Sequence, residues 1–386
     1  MSNTAVKPTA DGNDRPDLEA PARDQLGLKS MTRTMIKDYK IPIETNSLWY
    51  ALGGVLGISL VLELVTGMVL ALRYIPDAAK AYDVTKSMLG EGGWSVLLNF
   101  HYYNAYLIFG LLFVHMMRVF VTAGYRNGRK GLWFVGVLLS GVVFLMSITG
   151  ETLHWDERGF AVPWHMSEIL EAIGLSDRLQ YTHADLKNVT RATEILQPYY
   201  VAHIVILPMI LILLVAWHVY LIRAKKISIP FWKKESGQVV SFASHVREWV
   251  VWGSVATVVM IGISLFHRDP GPAPQLLPSS PYYGSKHGPG TLGIVPTVPI
   301  SWTHGMNRFI NIAFNFEPDI WGTVVGLGLM ALALLLVPYL DRGRGNLQST
   351  RETFDMSKRG WAFVAVAIFW VVWLVGTITN IITPIG

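Results

Sequence analysis

A chain of 386 residues with 51% hydrophobic and only 15% charged residues is too apolar for an ordinary soluble protein, in which about a quarter of residues are charged. Its formal charge of +5 raises nucleic acid as a partner. The basic residues, however, sit beside the ends of apolar blocks and form no compact face, which points to orientation in a membrane instead. The absence of cysteine excludes disulfides, iron–sulfur clusters held by this chain and any prosthetic group attached through a thioether.

Residues 1–40 are polar, rich in Pro, Asp and Lys, and carry no apolar run of signal-peptide type; they read as a flexible cytoplasmic tail. Apolar blocks follow at Leu48–Leu72, Tyr102–Val121, Leu132–Gly150, Tyr199–Ile222, Trp249–Phe266, Ile320–Leu340 and Trp361–Thr383. Each is near the roughly 20 residues needed to cross a hydrocarbon core about 30 Å thick. The fold class expected is therefore an all-α polytopic membrane protein with seven transmembrane helices.

Loops on one side carry Arg33, Lys37 and Lys40, then Arg126, Arg129 and Lys130, then Arg223, Lys225, Lys226, Lys233 and Lys234, then Arg342, Arg344, Lys358 and Arg359. The positive-inside rule makes that side cytoplasmic. The opposite side, with Glu168, Glu171, Asp177 and Asp185, is then outside, and an odd number of spans puts the C-terminus there too. Trp49, Trp249 and Trp361 at span ends fit an interfacial aromatic belt.

A basic linker, Arg223–Arg247, contains Pro230 and Gly237 and divides the chain into a four-helix module (residues 41–235) and a three-helix module (residues 236–386). Two external connections are long, Glu151–Pro198 and His267–Asp319, the second dense in Pro and Gly. Connections of this length tend to be functional or to carry short surface helices.

Histidine at membrane depth is costly and marks function. His101 and His115 lie 14 residues apart in the second helix, and His203 and His218 lie 15 apart in the fourth. Four α-helical turns take about 14.4 residues, so each pair lies near one face, separated along the axis by about 21–22 Å. In antiparallel helices His101 can face His203 near the outer surface, and His115 can face His218 near the inner one.

Each facing pair can supply both axial ligands of a haem iron. Two haems about 20 Å apart would make an electron wire across the bilayer, and the first four spans would be a dihaem four-helix bundle. A lone intramembrane histidine can simply bond a neighbouring helix, but two pairs of matching spacing ask for more. Zinc sites use closer spacing, often with Cys or carboxylate. A transporter would need broken helices or a charged pathway, for which Glu63 alone is thin support.

Gly53 and Gly67 in the first span are 14 residues apart, as are Gly136 and Gly150 in the third. Both spans thus offer points without side chains at the histidine interval, as the flat face of a macrocycle requires. Glycine also serves ordinary helix packing in membranes; it is the agreement of spacing that carries weight.

At these residues the chain resembles the cytochrome b family of the cytochrome bc1 and b6f complexes, from about residue 40 to the C-terminus. The resemblance rests on Leu52-Gly53-Gly54, Thr66-Gly67, His115-Met116-Met117-Arg118 and Pro208, five residues after His203. It implies two non-covalent b haems and places Arg118 at a haem propionate. It also implies quinol as substrate and a Rieske iron–sulfur protein and/or a c-type cytochrome as partner, within a homodimeric complex of the cytoplasmic membrane that draws on the quinone pool.

Three features look more like the b6f branch: the 15-residue histidine interval, the Trp49–Gly54 stretch WYALGG, and seven spans matching a four-helix cytochrome b6 fused to a three-helix subunit IV. At the position of Ala51 that branch has a cysteine carrying an extra haem, which is not expected here in covalent form.

Departures gather at the outer end. The glutamate-bearing PEWY motif of the family has no counterpart: Val298–Trp302 reads VPISW, and Glu317-Pro318-Asp319 reads as a helix cap. After the third span the family's GYxLPWDQ is Gly150-Glu151-Thr152-Leu153-His154-Trp155-Asp156-Glu157, and two expected arginines fall at Leu98 and Pro198. Glu63 stands where the family has glutamine, able to hydrogen-bond beside haem or relay protons. Glu151, His154, Asp156 and Glu157 form a substitute proton-acceptor set for quinol oxidation, the alternative being an interfacial polar rim. The function expected is a quinol-oxidising dihaem subunit; the alternative is a non-bifurcating dihaem anchor linking the quinone pool to a peripheral redox partner.

Overall fold

The computed structural model describes residues 39–233, 236–266, 298–315, 321–345 and 347–382. The polar tail, most of the Pro- and Gly-rich connection and the Glu317–Asp319 cap lie outside the described residues.

The helices in chain order are α1 (Leu48–Ala71), α2 (Ala81–Gly90), α3 (Gly92–Val121), α4 (Lys130–Leu153), α5 (Glu157–Ala172), α6 (Ser176–Leu179), α7 (His183–Lys187), α8 (Val189–Val201), α9 (Leu207–Lys225), α10 (Phe242–Phe266), α11 (Val298–Phe314), α12 (Trp321–Leu340), α13 (Thr350–Thr353) and α14 (Met356–Ile382). Six of the resulting segments, namely α1, α3, α4, α8 continuing into α9, α10 and most of α14, are long and apolar enough to cross a membrane, and α12 adds a shorter apolar helix, Val324–Leu340. This is a multi-pass membrane protein.

Two spans begin earlier than hydropathy indicates. α3 starts at Gly92, so His101 lies well inside it and not at its edge. Ser95, Asn99, His101 and Asn104 lower the local hydropathy, yet Ser95, Asn99 and Asn104 are buried and their backbone continues the helix. The fourth span likewise begins at Val189. The long connection between α4 and that span carries α5 to α7, as its length led one to expect.

The junction of α8 and α9 is a wide turn, Ala202–Ile206, closed by the Leu207 amide donating to the Ala202 carbonyl, an i→i+5 bond. Its cause is Pro208. Proline has no N–H to give the carbonyl of Ile204, and its ring crowds that oxygen, so the helix opens by one residue, as a π-bulge does.

Packing does not follow the division at the linker, because α10, beyond the linker, lies against α1 and α3 of the four-helix module. α1 lies against α3 and α10, α4 against α9, and α11, α12 and α14 against one another, with α12 also reaching α4. The middle of the four-helix module is closed by Ile108 and Leu112 of α3, Val142 and Val143 of α4, and Leu207 and Leu211 of α9. Met68, Leu213 and Val258 are more than half exposed, the outward apolar surface a lipid-facing bundle presents.

Two devices join the modules on the side of the α3–α4 loop. β1 (Lys40–Pro42) pairs antiparallel with β2 (Val239–Ser241), just before α10, and the Glu44 carboxylate accepts from the Ser236 amide at 2.8 Å and hydroxyl at 2.5 Å. Deeper, Asp341 beyond α12 accepts from Tyr125 at 2.6 Å and from Arg126 at 2.6 and 3.0 Å, and pairs with Arg359 of α14 at 3.3 Å. Trp49 and Trp361 are exposed as an interfacial belt requires. Trp249 instead turns inward, where it fills the space left by Gly54 and meets the His245 ring at 5.4 Å.

Candidate functional site

The four spaced histidines each stand against one of the four spaced glycines. A Cβ added at Gly67 would lie 3.1 Å from Cε1 of His101, at Gly53 3.0 Å from His115, at Gly150 2.8 Å from His203, and at Gly136 3.8 Å from His218. By spacing alone these glycines match a flat macrocycle. In the structure they serve the histidines first, with α1 making room for the two imidazoles of α3, and α4 for those of the α8–α9 span.

Hydrogen bonds fix which nitrogen is offered. Thr66 Oγ1 donates to the Leu62 carbonyl at 2.8 Å and lies 3.0 Å from His101 Nδ1. Thr149 does the same with Leu145 at 2.9 Å and His203 Nδ1 at 3.1 Å. Each hydroxyl spends its one proton on its own helix, so its oxygen accepts and Nδ1 carries the hydrogen. The lone pair then resides on Nε2, where a metal would bind.

The His101 and His203 ring centres are 6.3 Å apart. Bonds of about 2 Å from two imidazoles to one metal between them, plus roughly 1.1 Å from each nitrogen to its ring centre, require about 6.3 Å. In the second pair, Nδ1 of His115 and of His218 are buried without a partner. Beside them Arg118 lies over the Tyr50 ring at 4.5 Å, with its Nε also buried and unpartnered, a cationic donor suited to an acidic group. Among the described residues no group of three or more His, Cys, Asp or Glu is placed to hold a bare metal ion, so the donors fit an iron whose other ligands come from a macrocycle.

Around the first pair is a cavity of about 570 Å³, walled by Glu63, His101, Tyr102, Tyr106, Glu151, His154 and His203 among apolar residues. Tyr102 and Tyr106 are linked hydroxyl to hydroxyl at 3.0 Å, and the His154 ring lies 6.3 Å from that of Tyr102. The structure thus brings Glu151 and His154 together on one wall. It sets Asp156 apart: fully buried, this residue caps α5 by accepting from the Gly159 amide at 2.8 Å and pairs with Arg158 at 3.7 Å. Glu157 opens α5, its side chain outside the described residues.

Residues 36–226 match the family described as Cytochrome b/b6/petB. That stretch belongs to the cytochrome b family. Among curated relatives, cytochrome b6 of Prochlorothrix hollandica is 27% identical over 210 residues, covering 54% of this chain and 92% of the relative. The menaquinol:cytochrome c reductase cytochrome b subunit of Bacillus subtilis is 28% identical over 218 residues, covering 54% and 95%. The cytochrome bc complex cytochrome b subunit of Chlorobaculum thiosulfatiphilum reaches further, 24% over 314 residues and 80% of this chain, 69% of its own length. A solved structure titled "Hyperthermophilic respiratory Complex III" superposes with TM-score 0.66 at 21% identity, covering 93% of this chain and 98% of that one. At that identity the match establishes the shared fold.

Several residues of this candidate site escape a reading of the sequence. Thr149 could have been found, because Thr66-Gly67 and Thr149-Gly150 repeat one dipeptide behind two matched histidines. Asn104, which donates to Glu63 Oε2 at 2.6 Å and to the Ser59 carbonyl at 3.0 Å, has no such signal. Nor does the Tyr102–Tyr106 pair, ordinary membrane aromatics until the cavity places them.

Proposed function

We propose that the chain is the dihaem cytochrome b subunit of a quinol:cytochrome c-type oxidoreductase. It would be a seven-helix protein of the cytoplasmic membrane, with the N-terminus inside and the C-terminus outside. His101 and His203 would hold the outer haem b, His115 and His218 the inner one, with Arg118 at an inner propionate and Gly53, Gly67, Gly136 and Gly150 making room for the ligand rings. The observation that carries this reading is the facing of His101 and His203 at 6.3 Å, with Nε2 as the free nitrogen. The haems, when bound, supply one-electron carriers on the two sides of the bilayer.

Oxidising a quinol to a quinone releases two electrons and two protons. The cavity beside the outer pair offers apolar walls for the ring, and Glu151 and His154 offer acceptors for the protons, with Asp156 and Glu157 following them at the start of α5. Asp156 holds that segment in place through its cap. Electrons would leave toward a Rieske protein and/or a c-type cytochrome, in a homodimeric complex.

The test is purification of the full chain with a haem count and identification of its partners. Two b haems per chain are expected. His101→Leu or His203→Leu should remove only the outer haem, and His115→Leu or His218→Leu only the inner. A His218→Leu protein that keeps both haems at full occupancy would refute the pairing.

One observation favours a second reading, a non-bifurcating anchor that passes electrons between the quinone pool and a peripheral enzyme. The first turns of α11 read VPISW, without a carboxylate. A copurifying Rieske protein supports the first reading, and a peripheral dehydrogenase without one supports the second.

A further inference from the structure

α10 lies beyond the linker yet packs on α1 and α3, and its first turns meet the first turns of α1. The Trp249 indole covers Gly54, and next to it Gly53 makes room for the His115 ring. His245, one turn before Trp249, is 2% exposed, hydrogen-bonds the Tyr50 backbone and stands 5.4 Å from the indole. Arg118 of α3 lies over the Tyr50 ring at 4.5 Å. Tyr50 and Gly54 are four residues apart, as are His245 and Trp249, so each pair shares a helix face. The three helices thus meet in one contact beside His115.

Two donors in this contact are unused. Nε of Arg118 and Nε1 of Trp249 are buried without a hydrogen-bond partner. Neither group can accept, so neither can serve the other. Among the described residues no carboxylate pairs with Arg118, and a guanidinium does not shed its charge. A buried donor left unmade is costly, and a buried cation without a counter-charge more so. The partner they call for is an anionic group bearing oxygen. The macrocycle proposed between His115 and His218 carries such groups as its propionates.

We propose that Trp249 donates its indole N–H, alongside Arg118, to a propionate of the haem held by His115 and His218, so that α10 closes this haem site from beyond the linker. The inference rests on the dihaem reading above. The two sites are then built differently. The residues around the His101–His203 cavity run from Leu60 to Ile212, all within the first four spans, whereas the His115–His218 site takes a donor from the fifth.

The experiment follows the loss of each haem from the full-length purified protein to an excess of a haem-scavenging protein. The two haems are told apart by the spectra that the His203→Leu and His218→Leu variants leave behind. Trp249→Phe keeps an aromatic ring over Gly54 and removes the N–H. The His115–His218 haem should leave about tenfold faster or more, the worth of one hydrogen bond to a charged group, and the other haem at the parent rate.

If Trp249 only packs, Trp249→Phe leaves both rates unmoved or raises both alike, and either result overturns the proposal. Should that variant yield no folded protein, Gly54→Ala decides. Its methyl meets the indole and pushes it aside, and an unchanged rate for the His115–His218 haem there overturns the proposal. A parent protein that purifies without haem would sink the dihaem reading itself, an outcome distinct from any change of rate.

Discussion

Replacing the four glycines one at a time by alanine tests the site geometry more sharply than removing a ligand. At Gly150 the new methyl would meet Cε1 of His203 at 2.8 Å, whereas carbon atoms in comfortable contact lie about 3.5–4.0 Å apart. The ring must retreat by about 0.7 Å or more, and the Thr149 bond at Nδ1 resists this. Overpacking of this kind costs about 1–3 kcal/mol, a factor of roughly five to 140 in binding the group the ring holds. Gly67→Ala at 3.1 Å and Gly53→Ala at 3.0 Å should cost less, through His101 and His115 respectively. Gly136→Ala, whose methyl would rest 3.8 Å from His218, makes ordinary contact and gains up to about 1 kcal/mol of helix propensity. Haem per chain, measured before and after challenge with a haem-scavenging protein, should fall in the order Gly136, then Gly67 and Gly53, then Gly150. Equal loss in Gly136→Ala and Gly150→Ala would refute the claim that the glycines make room for imidazoles.

Asp341→Asn leaves Arg126 and Arg359 facing a neutral side chain in a buried network, a loss of about 3–5 kcal/mol for a broken buried pair, visible as a lower thermal midpoint of the detergent-solubilised protein. Burial alone would raise the Asp341 carboxyl, but the hydrogen bonds from Arg126 and then Tyr125 outweigh it and hold it below its ordinary 3.8. Its contribution is therefore full above that value and lost as pH falls through the lower folded value, so thermal midpoints of parent and variant should converge on acidification. Glu151→Gln should slow quinol oxidation by about 10²–10⁴-fold if it takes a proton, with both haems retained; unchanged turnover would leave Glu151 as part of a polar rim. Deleting Ile206, which is half exposed, should cost the haem proposed between His101 and His203, and combining that deletion with Pro208→Ala should restore it; a single deletion with full occupancy would refute the register argument.

Much of the membrane architecture is written in composition and spacing, because a hydrocarbon slab imposes one length on every span and forbids unpaired backbone within it. The histidine and glycine intervals are legible for the same reason: a straight helix turns sequence distance into axial distance. What hydropathy loses are the polar turns at the start of α3, where Ser95, Asn99 and Asn104 are buried among helices and a sum over residue types cannot see the partners. The carboxylates are the hardest to sort. Glu151 and Asp156 are near neighbours in one polar run, yet one lines a cavity and the other caps a helix. The helix ends between them, at His154 and Trp155, and Trp155 takes a positive φ of 51°, a turn nothing in the local sequence demands.

The unequal histidine intervals are the most informative detail of all. Gly136 and Gly150 are 14 residues apart on a straight α4, but the rings they oppose, His218 and His203, are 15 apart. In two regular helices a 14-residue interval falls about 40° short of four full turns and a 15-residue one about 60° past them, a mismatch of about 100° between the two contacts. Both are made, so the fourth span must absorb a residue between the two histidines, and it does so at Ala202–Ile206, immediately before Pro208. An i→i+5 turn holds one residue more than a regular turn, which brings the 15-residue interval back into phase with the 14. Pro208 is thus more than a mark of family resemblance: by denying Ile204 its usual partner it keeps open the turn that His203 needs in order to face His101.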